Sequence, residues 1–198
     1  RMKQEKSKIS VLMSVYKKEN PEYLRASLES ILVQTRTADE ILLIEDGPLT
    51  QELYQVVAEY QKKCDYLHVH AMEQNVQLGR ALAKGVELCQ YDLIARMDTD
   101  DIAMPHRLEK EGAYMEAHPE VDVVGGAIRE FNDEGTIDRV KNMPKTQEEI
   151  LEYVKVRNPL NHMTVMYRKD SILKAGNYKH FPFLEDYSLW SRMLSQGY

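Results

Sequence analysis

The first hundred residues alternate between short apolar runs and amphipathic helical patterns, and this alternation restricts the fold more than any other feature. The apolar runs are KISVLMSVY, DEILLIEDG, YLHVHAM and YDLIARM. They are nearly continuous in apolar residues, which is typical of strands buried on both faces. A strand followed by a helical pattern, repeated along the chain, predicts an α/β fold of the Rossmann-like kind, with a mostly parallel sheet flanked by helices.

Helix start signals and apolar spacing mark the segments between these strands. Asn20 is suited to an N-cap, and Pro21 fits the first helical position after it. Apolar side chains then recur every three or four residues, which places them on one face of each helix. These positions are Leu24, Leu28, Ile31 and Leu32, then Leu53, Val56, Val57 and Tyr60, then Leu78, Leu82, Val86 and Cys89.

The pattern becomes less regular after Pro105. The sequence predicts a helix from there to about His118, a strand in HPEVDVVGG, a turn or hairpin in FNDEGTIDR and a strand in MTVMY. A short helix is expected at Lys169–Ala175 and another in EDYSLWSRMLSQ. The length of 198 residues suits a single domain, and we expect one domain over residues 1–198.

Composition excludes several classes of protein. The net charge of −6 opposes sequence-independent binding to nucleic acid, which needs a basic surface, so we expect no nucleic-acid partner. The two cysteines, Cys64 and Cys89, have no metal-finger spacing and favour free thiols in a reducing compartment such as the cytoplasm. No apolar run approaches the ~18 residues of a membrane span.

Polar residues follow the predicted strands, where parallel α/β sheets bind their ligands. These residues are Tyr16, Glu45, Asp46, Asn75, Asp98, Asp100 and Asp101. The three aspartates after LIARM are the most informative, because like charges this close repel unless something compensates them. One of them would serve as a cap for the helix after Pro105, but three exceed what a cap requires.

A hard divalent cation, Mg²⁺ or Mn²⁺, is the compensation that this chemistry favours, since both bind through carboxylates and substrate phosphates. An EF-hand is excluded because Ala103 stands where its loop needs glycine. A haloacid-dehalogenase-type phosphatase is a poor match, because its Asp-x-Asp follows the first core strand and this one follows the fourth.

Six segments carry a family resemblance in their order along the chain. They are SVLMSVYKKENPEYLRASLESILVQT, ILLIEDG, NVQLGRALAKGV, ARMDTDDIAMPHRLEK, NPLNHMTVMYRK and EDYSLW. Together they resemble the inverting family 2 glycosyltransferases of bacterial polysaccharide type, which have the GT-A fold. The resemblance implies transfer of a sugar from a nucleotide-diphosphate sugar, expected to be a UDP-sugar. The implied acceptor is a saccharide or lipid-linked saccharide, and the implied step is a metal-dependent single displacement with inversion.

The resemblance also implies roles for residues that would bind the donor. Tyr16, Asp46, Asn75 and Arg80 would contact the nucleotide, with Asp46 accepting from the imide N–H of uracil and Arg80 pointing toward the base or phosphates. Glu45 stands where the family often has a further aspartate. The plainer alternatives are turn residues for Asp46 and Asn75 and an exposed helix residue for Arg80.

The aspartate cluster would hold the cation. Asp98 would reach the ribose or the metal-bound water, and Asp100 would ligate Mn²⁺ or Mg²⁺ between the two phosphates. Asp101 would cap the following helix or orient Asp100, while Arg96 would act as structural glue among the carboxylates.

The EDYSLW segment would supply the base. The resemblance implies that Asp186 takes the proton of the acceptor hydroxyl and that Glu185 lies beside it or contacts the acceptor. At a helix start, the macrodipole favours the ionised form of both acids. The alternative is that both merely occupy a first helical turn. His162 is expected to be packed and hydrogen-bonded, or to face the diphosphate or acceptor, and Trp190 is expected in the core.

The resemblance divides the expected domain into a nucleotide-binding half, 1–104, and an acceptor-side half, 105–198, which would continue past Tyr198. It implies a cytoplasmic protein, with peripheral association at the inner face of the membrane in a full-length form. Two alternatives are a sugar-1-phosphate nucleotidyltransferase, which would need a glycine-rich loop that SVYKKENPE lacks, and a nucleotide-sugar-binding module without catalysis.

Overall fold

A computed structural model describes residues 6–198 of the chain, and these residues form an α/β fold around one six-stranded sheet. The first half alternates β1 (Ile9–Val15), α1 (Pro21–Leu32), β2 (Glu40–Glu45), α2 (Gln51–Lys63), β3 (Leu67–Ala71), α3 (Leu78–Leu88) and β4 (Leu93–Arg96). The predicted strand and helix order of this half is confirmed. Asn20 caps α1 by accepting from the Glu22 N–H at 2.8 Å, as the sequence predicts.

The second half is mixed, again as predicted. It contains α4 (Arg107–Ala117), β5 (Val123–Val124), β6 (Ile128–Phe131), β7 (Asp138–Lys141), α5 (Gln147–Tyr153), a 3₁₀ turn (His162–Thr164), β8 (Met166–Arg168), α6 (Lys169–Lys174) and α7 (Glu185–Ser195). The sequence analysis missed α5, although a capping box between Thr146 and Glu149 marks its start. The expected hairpin is β6–β7.

The strand order of the sheet is β3-β2-β1-β4-β8-β5. Strands β1 to β4 pair in parallel, whereas β8 runs antiparallel to both β4 and β5. After β1 the chain builds β2 and β3 on one side, and β4 then returns to the other side of β1. This reversal creates a crevice at the carboxyl ends of β1 and β4, the place where open α/β sheets bind ligands.

Helices cover both faces of the sheet. Alternate residues of β1, such as Val11 and Met13, pack with α1, α2 and α4, while Leu12 faces α3, α6 and α7. Each fully buried aliphatic side chain of this kind contributes about 1.5–3 kcal/mol to folding. Because both faces of β1 are buried, the strand is rigid up to its end at Val15, and the loops that follow start from fixed positions.

The first five residues of the expected nucleotide-binding half lie outside the described residues. Within residues 6–198, no helix combines the length and the apolar character that a bilayer span requires.

Candidate functional site

Tyr16 and the three aspartates follow the two strands that border the crevice, β1 and β4. Tyr16 directly follows β1 and is 45% exposed, so its ring is available to a ligand. The aspartates follow β4, which is the neighbouring strand of the sheet. The structure therefore places the two sets at the same sheet edge, as the parallel topology predicts.

Asp98, Asp100 and Asp101 form a group in which one carboxylate oxygen of each lies within 4.8 Å of the others. Burial, followed by the charges of Asp98 and Asp100, raises the pKa of Asp101 to about 7. Burial and the charges of Asp98 and Glu19 likewise raise the pKa of Asp100. The conflict among like charges that the sequence suggests is therefore present in the folded protein.

Asp101 does not cap the following helix, so that expectation is wrong. Helix α4 begins at Arg107 and its N-cap position is His106, five residues beyond Asp101. The segment Ile102–His106 intervenes, and the Asp101 carboxylate is left facing the other two aspartates. Sequence spacing alone does not decide whether Asp101 caps α4 or faces the other aspartates, because it does not define the length of the loop before α4.

This oxygen-only group fits a divalent cation of the Mg²⁺ or Mn²⁺ type. Three carboxylates supply hard ligands on one side, and the exposure of Asp100 leaves room for water or phosphate oxygens on the other. A cation at this position would also relieve the repulsion that raises the pKa of Asp100 and Asp101.

Arg96 lies behind the aspartate cluster. Its side chain is the largest fully buried one among residues 6–198. Its Nη2 donates to Asp98 Oδ1 at 2.7 Å, and its Nη1 donates to the carbonyl oxygens of Leu12 at 2.7 Å and Met97 at 2.9 Å. Arg96 thus connects β1, β4 and the cluster, as expected of a buried structural arginine. Among residues 6–198, Asp98 supplies the one carboxylate that bonds to it.

Asp46 and Asn75 join the loop after β2 to the loop before α3. Asp46 Oδ1 accepts from the Val76 N–H at 2.7 Å, and Oδ2 accepts from Asn75 Nδ2 at 3.1 Å. Burial raises the pKa of Asp46 even though backbone N–H groups stabilise its charge. Gly47, at φ +84°, permits this approach, because a Cβ there would lie 2.5 Å from the Asn75 nitrogen.

Arg80 lies in the first turn of α3 and is exposed. Among residues 6–198, none of the ion pairs involves Arg80. Gly79 brings this turn against the start of α7, because a Cβ at Gly79 would lie 2.6 Å from the Lys179 carbonyl oxygen and 3.3 Å from Glu185 Cβ.

Glu185 and Asp186 occupy the first turn of α7, and each is only 9% exposed. Asp186 Oδ2 accepts from Asn158 Nδ2 at 2.6 Å, a contact that the sequence analysis missed. Burial raises the pKa of both acids, so desolvation outweighs the backbone N–H groups that stabilise their charges. The ring of Trp190 in α7 lies 6.2 Å from the ring of His162, whose Nε2 accepts from Arg96, so α7 lies near the aspartate cluster.

His162 and Trp190 lie beneath this region. The ring of His162 is 9% exposed and hydrogen-bonded, the first of its two expected outcomes. Trp190 is 2% exposed and packs in the core, as expected. Tyr178, which follows α6 and lies 2.8 Å from His162 Nε2, is a second residue that the sequence analysis did not single out. Pairings such as these depend on tertiary contacts that no local pattern reveals.

Comparisons with known proteins agree with this architecture. The profile of the family described as "Glycosyl transferase family 2" matches residues 10–179. The amylovoran biosynthesis glycosyltransferase AmsE of Erwinia amylovora is 44% identical over 189 residues, which cover 96% of this chain and 70% of that protein. The UDP-Gal:alpha-D-GlcNAc-diphosphoundecaprenol beta-1,3-galactosyltransferase of Escherichia coli is 35% identical over 202 residues, covering 99% and 71%.

Two solved structures share the fold at low sequence identity. S. aureus TarS 1-349 in complex with UDP-GlcNAc has a TM-score of 0.74 at 19% identity, covering 94% of this chain and 53% of that one. The mannosyltransferase PcManGT of Pyrobaculum calidifontis, in complex with GDP-Man and Mn2+, has a TM-score of 0.72 at 13% identity, covering 98% and 54%. The chain thus spans about half of these solved chains. It has the GT-A fold, and it belongs to glycosyl transferase family 2, a family of sugar-transferring enzymes.

Proposed function

We propose that this chain is the catalytic domain of an inverting, metal-dependent glycosyltransferase that uses a UDP-sugar and a saccharide or lipid-linked saccharide acceptor. The observation that carries the proposal is the aspartate cluster at the crevice between β1 and β4, with α7 and its acids near it. Residues 1–104 would bind the nucleotide, and residues 105–198 would face the acceptor. The donor and acceptor classes are supported by two similar proteins, TarS in its UDP-GlcNAc complex and the galactosyltransferase whose name includes a diphosphoundecaprenol.

In this proposal the donor lies across the carboxyl ends of the strands. Tyr16, Asp46, Asn75 and Arg80 form the nucleotide end, where the positive charge of Arg80 suits a phosphate or the base. The buried carboxylate of Asp46, held by Asn75 and Val76, would accept from the imide N–H of uracil. Asp98 and Asp100, with Asp101, would hold Mn²⁺ or Mg²⁺, which neutralises charge on the departing diphosphate when bound.

Asp186 would act as the base. It takes the proton of the acceptor hydroxyl while that oxygen forms a bond to the anomeric carbon and the bond from that carbon to the diphosphate breaks. Asn158 donates to Oδ2 and so fixes the orientation of the carboxylate. Burial raises the pKa of Asp186 and thereby makes it a stronger proton acceptor than an exposed aspartate. Attack from the face opposite the leaving group gives inversion.

A lipid-linked acceptor would bring the protein to the cytoplasmic face of the membrane as a peripheral enzyme. A sugar-1-phosphate nucleotidyltransferase is disfavoured, because the loop after β1 reads YKKENP and contains no glycine to cradle a triphosphate. A binding module without catalysis is disfavoured by the presence of both an acidic metal cluster and the buried, oriented Asp186.

Calorimetry with UDP and with GDP, each with and without Mn²⁺, tests the donor half of the proposal. We expect UDP to bind more tightly than GDP and Mn²⁺ to strengthen its binding. Release of UDP from a panel of UDP-sugars then tests transfer. Equal binding of both nucleotides with no effect of the metal would contradict the proposal.

A further inference from the structure

A chain of buried polar side chains runs behind the aspartate cluster. Arg96 Nε lies 3.3 Å from His162 Nε2, which lies 2.8 Å from the Tyr178 hydroxyl. The Tyr178 hydroxyl in turn lies 3.3 Å from the hydroxyl of Tyr167. The most exposed member of the chain is His162, at 9%, and the other three are 4% exposed or less.

The donors and acceptors of this chain follow from its geometry. A guanidinium N–H only donates, so His162 Nε2 must be unprotonated and accept from Arg96. The Tyr178 hydroxyl shares the same nitrogen, and when its one hydrogen is directed there, its oxygen accepts from the Tyr167 hydroxyl. Burial and the charge of Arg96 hold the pKa of His162 well below its usual range, which agrees with a neutral ring.

His162 completes the set of contacts that holds the Arg96 guanidinium. Nη1 is used by the carbonyl oxygens of Leu12 and Met97, Nη2 by Asp98 Oδ1, and Nε by His162. Because Arg96 is fully buried, an Nε–H without an acceptor would be costly, and the guanidinium would shift to find one. Such a shift would move Nη2 and with it the carboxylate of Asp98.

We propose that His162 and Tyr178 are positioning residues for the metal site, acting through Arg96 on Asp98. They fix the guanidinium so that Asp98 Oδ1 is occupied by Nη2 and Oδ2 remains available to the cation. This inference rests on the proposed function, because it assigns His162 a task in the same metal site.

Substitutions at His162 separate positioning from mere packing. His162→Leu fills the space but provides no acceptor for Arg96, whereas His162→Gln keeps an acceptor oxygen at a similar reach. We expect Leu to weaken Mn²⁺-dependent UDP binding about tenfold, the range seen when residues behind metal ligands are changed, and Gln to restore most of it. Both variants should show a cooperative thermal unfolding transition in EDTA, which does not involve the cation and shows that they are folded.

Tyr178→Phe provides a second, milder variant that removes one hydroxyl from the chain. We expect it to weaken the Mn²⁺-dependent binding in the same direction but less. The matched control is Tyr60→Phe, because Tyr60 is 2% exposed and its hydroxyl bonds to Glu29 at 2.9 Å, away from the site. The control should leave the Mn²⁺ dependence of UDP binding at the native value.

The outcomes distinguish this inference from the proposed function. If the native protein gives no Mn²⁺-dependent UDP binding, the proposed function is wrong and this inference is wrong with it. If the native protein binds and either His162→Leu or Tyr178→Phe binds equally well, only the positioning role is overturned. Equal losses with Leu and Gln at His162 would also overturn it, since they would point to ring packing instead of the acceptor nitrogen.

Discussion

Replacing Asp100 with Asn should stabilise the protein in the absence of metal and remove most of its response to Mn²⁺. Asp100 is one of three carboxylates whose oxygens lie within 4.8 Å of one another. In the metal-free protein their repulsion opposes folding, and the unfolded chain largely escapes it. Asn keeps the size and hydrogen-bonding capacity of the side chain but carries no charge, so the substitution isolates the electrostatic contribution.

The magnitude follows from the distance and the surroundings. Two unit charges 4.8 Å apart interact by about 0.9 kcal/mol in bulk water and about 3.5 kcal/mol at an effective dielectric constant of ~20. Asp100 is exposed, which favours the lower value. The charges of Asp98 and Glu19, which raise the pKa of Asp100, supply this repulsion, and we expect its removal to increase the free energy of unfolding by about 1 kcal/mol.

Thermal unfolding in EDTA at pH 8 and low salt measures this gain, which corresponds to a rise in Tm of about 2–4 °C for a chain of this size. Salt should reduce the difference, because exposed charges are screened. The matched control is Asp65→Asn, which removes a charge from the exposed turn after α2. On addition of Mn²⁺, native protein should gain stability and Asp100→Asn should gain much less.

Two results would refute this reasoning. A lower Tm for Asp100→Asn than for native protein in EDTA would mean that the carboxylate makes a net favourable contact in the metal-free state. An equal Mn²⁺-induced rise in Tm for the two proteins would mean that the cation binds elsewhere.

Four further predictions concern the same sheet edge. The pKa of Asp101 is about 7, so protons compete with the cation and Mn²⁺ affinity in calorimetry should fall about tenfold from pH 8 to pH 6. Because the pKa of Asp101 is higher in the folded than in the unfolded chain, protonation of Asp101 favours folding. In EDTA, the contribution of Asp101 to the free energy of unfolding measured in urea should therefore decline as pH rises from about 4 to about 7. Asp186→Asn should bind UDP normally but transfer sugar ~10²–10⁴-fold more slowly in a UDP-release assay, and full activity would move the base elsewhere. Asp46→Ala should weaken UDP binding in calorimetry more than Asn75→Ala, because it removes the acceptor for both Asn75 and Val76; the reverse order would exclude Asp46 as the base contact.

Local features of the fold were predictable because their causes are local. β1 occupies Ile9–Val15, within the predicted run KISVLMSVY, since a β-branched apolar run of that length has few other stable conformations. The N-cap at Asn20 and the buried face of α2 follow equally from spacing. The position of the aspartates at the crevice follows from the parallel order of β1 and β4.

The remaining features depend on contacts between distant parts of the chain. β8 inserts antiparallel between β4 and β5, and nothing in MTVMY specifies its direction or its neighbours. Asn158 meets Asp186 across 28 residues because the turn at His162 and helix α6 bring them together. Helix α5 has no buried residue, so it lacks the apolar periodicity by which the other helices are found.

The electrostatics of the site imply that nucleotide and cation bind together. Burial raises the pKa of six acids in this region, namely Glu45, Asp46, Asp100, Asp101, Glu185 and Asp186. The charge of Arg96 is buried and already engaged by Asp98, so a diphosphate alone would meet predominantly negative charge. A divalent cation changes this, because its positive charge reduces the repulsion among the carboxylates and also attracts the phosphates. Each ligand should therefore raise the affinity of the other by the same factor, and the cluster that destabilises the metal-free fold is what makes donor binding depend on the metal.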